Sequence, residues 1–590
     1  MIKNIKHIAL SAAAVGMALA MTSCSDYLDK QASNELTEEK TLADWRMFEY
    51  FHTDTYNFLR HGANRMNDSW LDAATDLAET SFASGGTRLS FNIGNYYSGG
   101  GWSELEDTWE SRYRAIRKCN RVLTQMHLVP KNITLSDEED AQQRATMRAE
   151  ARTFRAYFYW ELFLRYGPLP IVEEVLDPEN DMITPYKTRP TYAEYTDFIL
   201  KELRESRPDL LTYEDAWNSN RIGRLSQPMS LALESRILLY LASPRYAALG
   251  CNVSWQEAAD CAKSFIDTYG GNFGLYAEDT KSGAENYANA VLHSQYTGNN
   301  NEVIFFRNDT QIGWDGIRLD SPVGEGGRGG NCPSQNLVDM YDMADGTSPF
   351  AEYDATGAPV YNASGMPTIN PESSYSEQRM WQDRDPRFEA SVLFHGTEWG
   401  SMNSTGYIDV RRGMADNPIG NADATPTGYY MRKYIPASIL ASNHSGSAYR
   451  LWTIIRYAEI LMNYAEALNE AGGPSDEVCS LLDQVRHRAG ITGNTADRAD
   501  LKSKEAMRNF IHKERTVEFA FEEHRWWDVR RWNVAKEALS RDIYGIEVAQ
   551  NGTLSRKVAQ KRVFEDKMYL YPIPETEYWK TEIANNPGWE

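Results

Sequence analysis

Over most of the chain, apolar residues recur at helical rather than strand spacing. From Trp45 onward this period dominates, and Trp109, Tyr113, Ile116 and Val122–Leu123 fall about one turn apart. The segment AEARTFRAYFYWELFLRY, at 149–166, predicts a strong helix that ends at Gly167-Pro168, where glycine caps and proline stops it. Further helices are predicted at about 191–206, 228–242 and 254–268, and again at 452–471, 476–488, 504–521 and 524–538. Between the two groups lies 270–430, rich in Gly, Asn, Asp, Ser and Pro and nearly without period. It carries one short helical stretch, 335–343, and one β-like run, 303–306. The fold class is therefore mainly α. Helix pairs on short turns suggest a tetratricopeptide-like scaffold, although no clean 34-residue repeat stands in the letters. Ala465, Ala467 and Ala471 suit close helix contacts. A long irregular region on a helical scaffold is where binding groups are usually carried, because loops vary while helices hold them.

The N-terminus follows another pattern. Lys3 and Lys6 precede an apolar run at 8–21, too short to span a bilayer and suited to a signal peptide. The run ends in MTSC at 21–24, which resembles a bacterial lipobox with Met21 in place of the usual Leu. Cys24 would carry the lipid, giving an anchored rather than a spanning protein. Ser25 and Asp26 resemble the surface-export signal of Bacteroidetes-type lipoproteins. The chain thus divides into a signal peptide (1–23), a lipidated tether (24–44), an N-terminal helical region (45–269), a loop-rich insertion (270–430) and a C-terminal helical region (431–590).

Composition narrows the functions. The 590 residues carry a net charge of −22. With a pI near 5.0, this argues against nucleic acid and anionic lipid as partners. A mean hydropathy of −0.57 excludes a multi-span membrane protein. Beyond Cys24, five cysteines remain, an odd number without zinc spacing, and they read as scattered buried thiols. Aromatic residues make up 12% of the chain, enough for a rich core and for a surface that stacks on rings.

Several segments are more specific. RYAEILMNYAEALNE at 456–470, VRHRAG at 485–490, ERTVEFAFEEHRWWDVRRW at 514–532, YPIPE at 571–575 and NPGW at 586–589 stand in the C-terminal third. RDPRF at 384–388 precedes them. The N-terminal half adds Trp109, Tyr113, Ile116 and Asn120, then AEAR at 149–152, RAY at 155–157 and YGPLP at 166–170. Together, and in this order behind the lipobox, they resemble the SusD/RagB family of outer-membrane lipoproteins over essentially the whole mature chain. The charged members Glu514, Arg515, Glu518, Arg525, Asp528 and Arg531 read as a buried packing network rather than as catalytic groups.

Catalytic motifs are absent. GEGGRG at 324–329 satisfies the dinucleotide pattern, but no βαβ unit surrounds it, and no cofactor is expected. The ten histidines show no ligand spacing, so no metal site is assigned. Abundant carboxylates leave an all-helical glycoside hydrolase as the enzyme alternative. The resemblance implies instead a non-catalytic surface lipoprotein that captures oligosaccharide and passes it to a SusC-like, TonB-dependent outer-membrane transporter. Within the family, capture of oligopeptide, as in the RagB branch, is the second reading. The resemblance also implies an arc of loop-borne aromatics. Trp102, after Gly99-Gly-Gly101, Tyr296 and Trp314 lie in Gly/Asn-rich loop sequence and are the candidates, with Arg88, Asn95 and Asp315 as polar contacts. Where the family often has an Asn three residues after its first arc Trp, this chain has Leu105, so the polar pattern differs.

Overall fold

The computed structural model describes residues 38–62, 66, 69–82, 86–100, 103–177, 186–217, 221–292, 300–307, 311–400, 406–439, 441–442, 446–449 and 452–589. The fold is mainly α-helical, with helices packed in pairs. Asp137–Tyr166 is its spine. Ser136 accepts the Glu139 N–H at 3.2 Å while the Glu139 carboxylate receives the Ser136 N–H at 2.8 Å, a capping box that starts the helix twelve residues before the apolar period becomes strong. Four acidic residues in its first turn suit the positive end of the helix dipole, and Gly167, at φ 70°, closes the other end.

Ser103–Gln125 and Tyr192–Ser206 flank this spine. Gln227–Ala242 packs on Trp255–Tyr269, which packs on Tyr457–Gly472, and that helix in turn packs on Asp476–Arg488 and Lys504–Glu518. The N- and C-terminal helices therefore share one core. Trp70, Phe154, Trp160, Phe163, Leu239 and Ile460 are among its buried side chains.

The described strands form two-stranded antiparallel sheets. Val303–Arg307 pairs with Trp452–Arg456, so the helix expected from 452 begins only at Tyr457. The run Thr453-Ile454-Ile455 is β-branched and favours an extended chain once a partner strand supplies the ladder. The stretch 270–430 holds more order than its composition suggested. Gly283–Leu292, Gln335–Met340 and Pro386–Ser391 are helical, and Asn331–Pro333 pairs with Ala78–Thr80 near the N-terminus. Cys119, Cys251, Cys332 and Cys479 are buried, and with the half-buried Cys261 all five are free thiols.

Candidate functional site

Gln311–Gly313 pairs with Ser447–Tyr449 and hands the chain into the one-turn helix Trp314–Ile317. Loop sequence had suggested an exposed ring at Trp314. The residue is instead only 8% exposed and belongs to the hydrophobic core, because the short helix turns it inward. Its indole faces the turn at Gly326, where an added Cβ would lie 4.0 Å from Cζ2. That glycine sits at φ +79°, a conformation side-chained residues rarely adopt. Asp315 is exposed beside it.

The turn is fixed from below. Gly324 N–H donates to Asp416 Oδ1 at 3.0 Å and Asp409 N–H to Oδ2 at 2.8 Å. Burial pushes the Asp416 carboxyl up to about 6; the two N–H donors oppose the rise, and the charges of Glu325 and Asp409 add to it. GEGGRG at 324–329 serves this turn, since a Cβ at Gly327 would strike the Ser321 carbonyl.

Arg88 is brought into the same neighbourhood, but beneath the surface. Its guanidinium pairs with Glu79 and donates to the Phe82 carbonyl at 2.8 Å, leaving the residue 2% exposed. Ser81 binds the backbone at Arg328 and Gly330, at 2.8 and 3.0 Å. Arg88 therefore braces Ala78–Thr80, the strand that pairs with Asn331–Pro333 just beyond the glycine turn, and its guanidinium is turned inward to Glu79 rather than presented at the surface. Asn95 is exposed, on the loop that follows the helix Gly86–Asn92. There Tyr96 stacks on Phe91 with centroids 4.1 Å apart and meets Trp589 at 4.9 Å. Trp102 and Tyr296 lie outside the described residues, as does Cys24.

The charged motif of 514–532 is a buried ionic core. Arg456 and Arg488 donate to Glu518 Oε1 at 2.7 and 2.6 Å, and Arg387 reaches Oε2 at 3.1 Å. Burial alone would raise the Glu518 carboxyl, but Arg488, Arg456 and Arg387 hold it well below the usual range. Arg531 binds Glu466 and Asp528, and Arg515 lies 3.3 Å from each. Each of these carboxylates is spent on guanidinium partners, which suits cohesion rather than proton transfer. Among the described residues no group of three or more His, Cys, Asp or Glu is arranged to hold a metal ion. No described helix is long and apolar enough to cross a membrane.

Residues 277–589 match the model of the SusD family. The chain belongs to the SusD family. Residues 26–239 match a second SusD-like model, described as starch-binding and associating with the outer membrane. The SusD family is one of non-catalytic binding proteins in which association with the outer membrane is typical. SusD-like protein P2 of Formosa agariphila is 30% identical over 165 residues, a match spanning 27% of this chain and 30% of that relative's length. Two solved structures from Bacteroides fragilis share the fold. A SusD-like protein has a TM-score of 0.73 at 24% identity, covering 95% of this chain and 100% of the other. A SusD-like carbohydrate binding protein has a TM-score of 0.69 at 22% identity, covering 91% and 98%.

Sequence reasoning singled out no residue among the exposed rings Tyr97, Tyr407, Tyr578 and Trp579. Trp579 could have been found from its setting in ETEYWK, where charged neighbours on a short helix leave little apolar surface to cover it.

Proposed function

We propose that this SusD-like protein captures a glycan at the outer face of the outer membrane and delivers it, uncleaved, to a SusC-like TonB-dependent transporter. The observation that carries this reading is the match of SusD family models to both halves of one packed body. The carbohydrate-binding description of a similar structure supports it. In this reading the helix pairs act as a tetratricopeptide-like scaffold and 270–430 carries much of the ligand surface. Trp102 and Tyr296 stack on sugar faces, Asn95 and Asp315 address hydroxyls, and the buried Trp314 supports the turn that carries Asp315. Flat rings cover the apolar C–H faces of sugars at little entropic cost. Cys24 carries the lipid anchor.

The purified mature chain should be screened against glycan arrays and peptide pools in parallel. The expected result is retention of one glycan class, with no new reducing ends after prolonged incubation. Binding confined to peptides would replace this reading with oligopeptide capture, and turnover abolished by a single carboxylate substitution would replace it with hydrolysis.

A further inference from the structure

Trp579 is 71% exposed, on the helix Glu575–Thr581. An indole left this wet forgoes the burial energy its area could yield, and large exposed rings that cluster mark contact surfaces. Two more rings stand close by, Tyr578 at 39% and Tyr97 at 57% exposed.

The cluster is held in place. Trp579 Nε1–H points at Glu575 Oε1, 3.4 Å away, and the Tyr578 ring packs edge-on against the indole with centroids 5.3 Å apart. The loop bearing Tyr97 is pinned to the same helix and to the segment after it, since Glu575 N–H donates to the Ser98 carbonyl at 3.0 Å and Asn585 Nδ2, four residues past the helix end, to Ser98 Oγ at 3.0 Å. Gly99 allows the close approach. A Cβ there would collide with the Glu575 carboxylate and would lie 3.7 Å from Tyr97 Cε2. The exposed Glu575 carboxylate therefore lies near both Tyr97 and Trp579.

We propose that Trp579 and Tyr97, with the Glu575 carboxylate beside them, form a stacking platform for a neutral oligosaccharide. Two preset aromatic faces take the C–H faces of sugar rings, and an acceptor-only carboxylate near both takes hydroxyl donors. The same carboxylate repels uronate and sulfate groups, which selects uncharged glycans over acidic ones. The platform uses elements that the Trp314 neighbourhood does not, and it rests on the glycan reading above.

Native gels cast with starch, laminarin, xyloglucan or mannan, and others with alginate or pectate, test this on the full mature chain. A neutral polysaccharide should slow the wild-type protein. Trp579→Ala and Tyr97→Ala should each weaken that retardation about five-fold or more. Trp579→Phe should recover part of it, and the unfolding midpoints should stay unchanged because the rings are exposed. Undiminished retardation of both Ala variants overturns the platform and leaves the glycan reading standing. Retardation by acidic polysaccharides alone overturns the stated ligand class. If no polysaccharide slows the wild type, the glycan reading fails and the platform with it. If Trp579→Ala keeps its glycan retardation but no longer co-purifies with an outer-membrane transporter, the surface is a protein interface and the proposal is wrong.

Discussion

Arg525 and Asp76, 449 positions apart in sequence, close on each other through parallel hydrogen bonds of 2.8 and 2.7 Å. Both side chains are buried. Four residues before Asp76, Asp72 accepts the backbone N–H groups of Phe521 and Glu523 at 3.1 and 3.2 Å. Those two residues sit at φ 63° and 65°, left-handed conformations that cost about 1–3 kcal/mol each unless the surroundings hold them. A loop near the N-terminus therefore clamps the turn inside the longest C-terminal motif.

Removing one partner of this clamp strands a buried charge. Arg525→Ala should cost about 3–5 kcal/mol in denaturant unfolding. The double variant with Asp76→Ala should recover part of that loss, because neither charge is then left alone. A single-variant cost below about 1 kcal/mol would mean that the pair is not satisfied as described.

Acid should unfold the protein through its buried carboxylates. Burial would raise Glu466, but Arg531 and Arg515 hold it at about 2; burial would likewise raise Glu150, but Arg224 and His52 hold it at about 2. A carboxyl depressed on folding stabilises the protein above its unfolded value near 4.5, and that contribution is lost as pH falls toward 2. Each is worth on the order of 3 kcal/mol. Burial also depresses His512 to about 4, against the pull of Glu466, so stability at this site drains in the same direction below pH 6.5. Circular dichroism during acid titration should give a cooperative loss of structure between about pH 4.5 and 2. A fold intact at pH 2 would contradict the ionic core.

Trp314 separates a core ring from a ligand platform. Its burial predicts that Trp314→Ala lowers stability by about 3–5 kcal/mol along with any loss of binding. Trp102→Ala, if its ring stacks on ligand from a loop, should lower binding while shifting stability by about 0.5 kcal/mol or less. Thermal unfolding of both variants checks this. An unchanged midpoint for Trp314→Ala would remove the ring from the core.

The anchor is tested at Cys24. Cys24→Ala should release the protein from the outer-membrane fraction in high salt, where charge contacts are screened. A variant that still partitions with membrane under those conditions is held by something other than the lipid.

Helices were legible wherever an apolar stripe repeated, and Asp476–Arg488 begins and ends where its letters say. The polar first turns of Asp137–Tyr166 hid its start, although Ser136 and Glu139 spell the capping box. The hairpin Ile543–Val548 with Leu554–Gln560 went unread despite Asn551-Gly552 at its turn, a strong short-range hairpin signal. The charged motif was legible as packing because Arg and carboxylate residues alternated on helices with aromatic neighbours. The site was harder to read. Loop composition says that a ring lies off the periodic core, but whether Trp314 points in or out depends on a one-turn helix and a distant strand, Ser447–Tyr449. Arg88 was near enough in sequence to look like a ligand contact, yet Glu79, nine residues back, claims its charge.

The central claim, capture of glycan by loop-borne aromatics, is tested most directly by calorimetric titration. An oligosaccharide chosen from the array screen should be titrated into the wild-type chain and into Trp102→Ala and Tyr296→Ala. Loss of one stacked ring at about 1–3 kcal/mol predicts a dissociation constant weaker by roughly five- to 150-fold for each variant, with the unfolding midpoint preserved. Two variants that bind the oligosaccharide as tightly as the wild type would contradict the account.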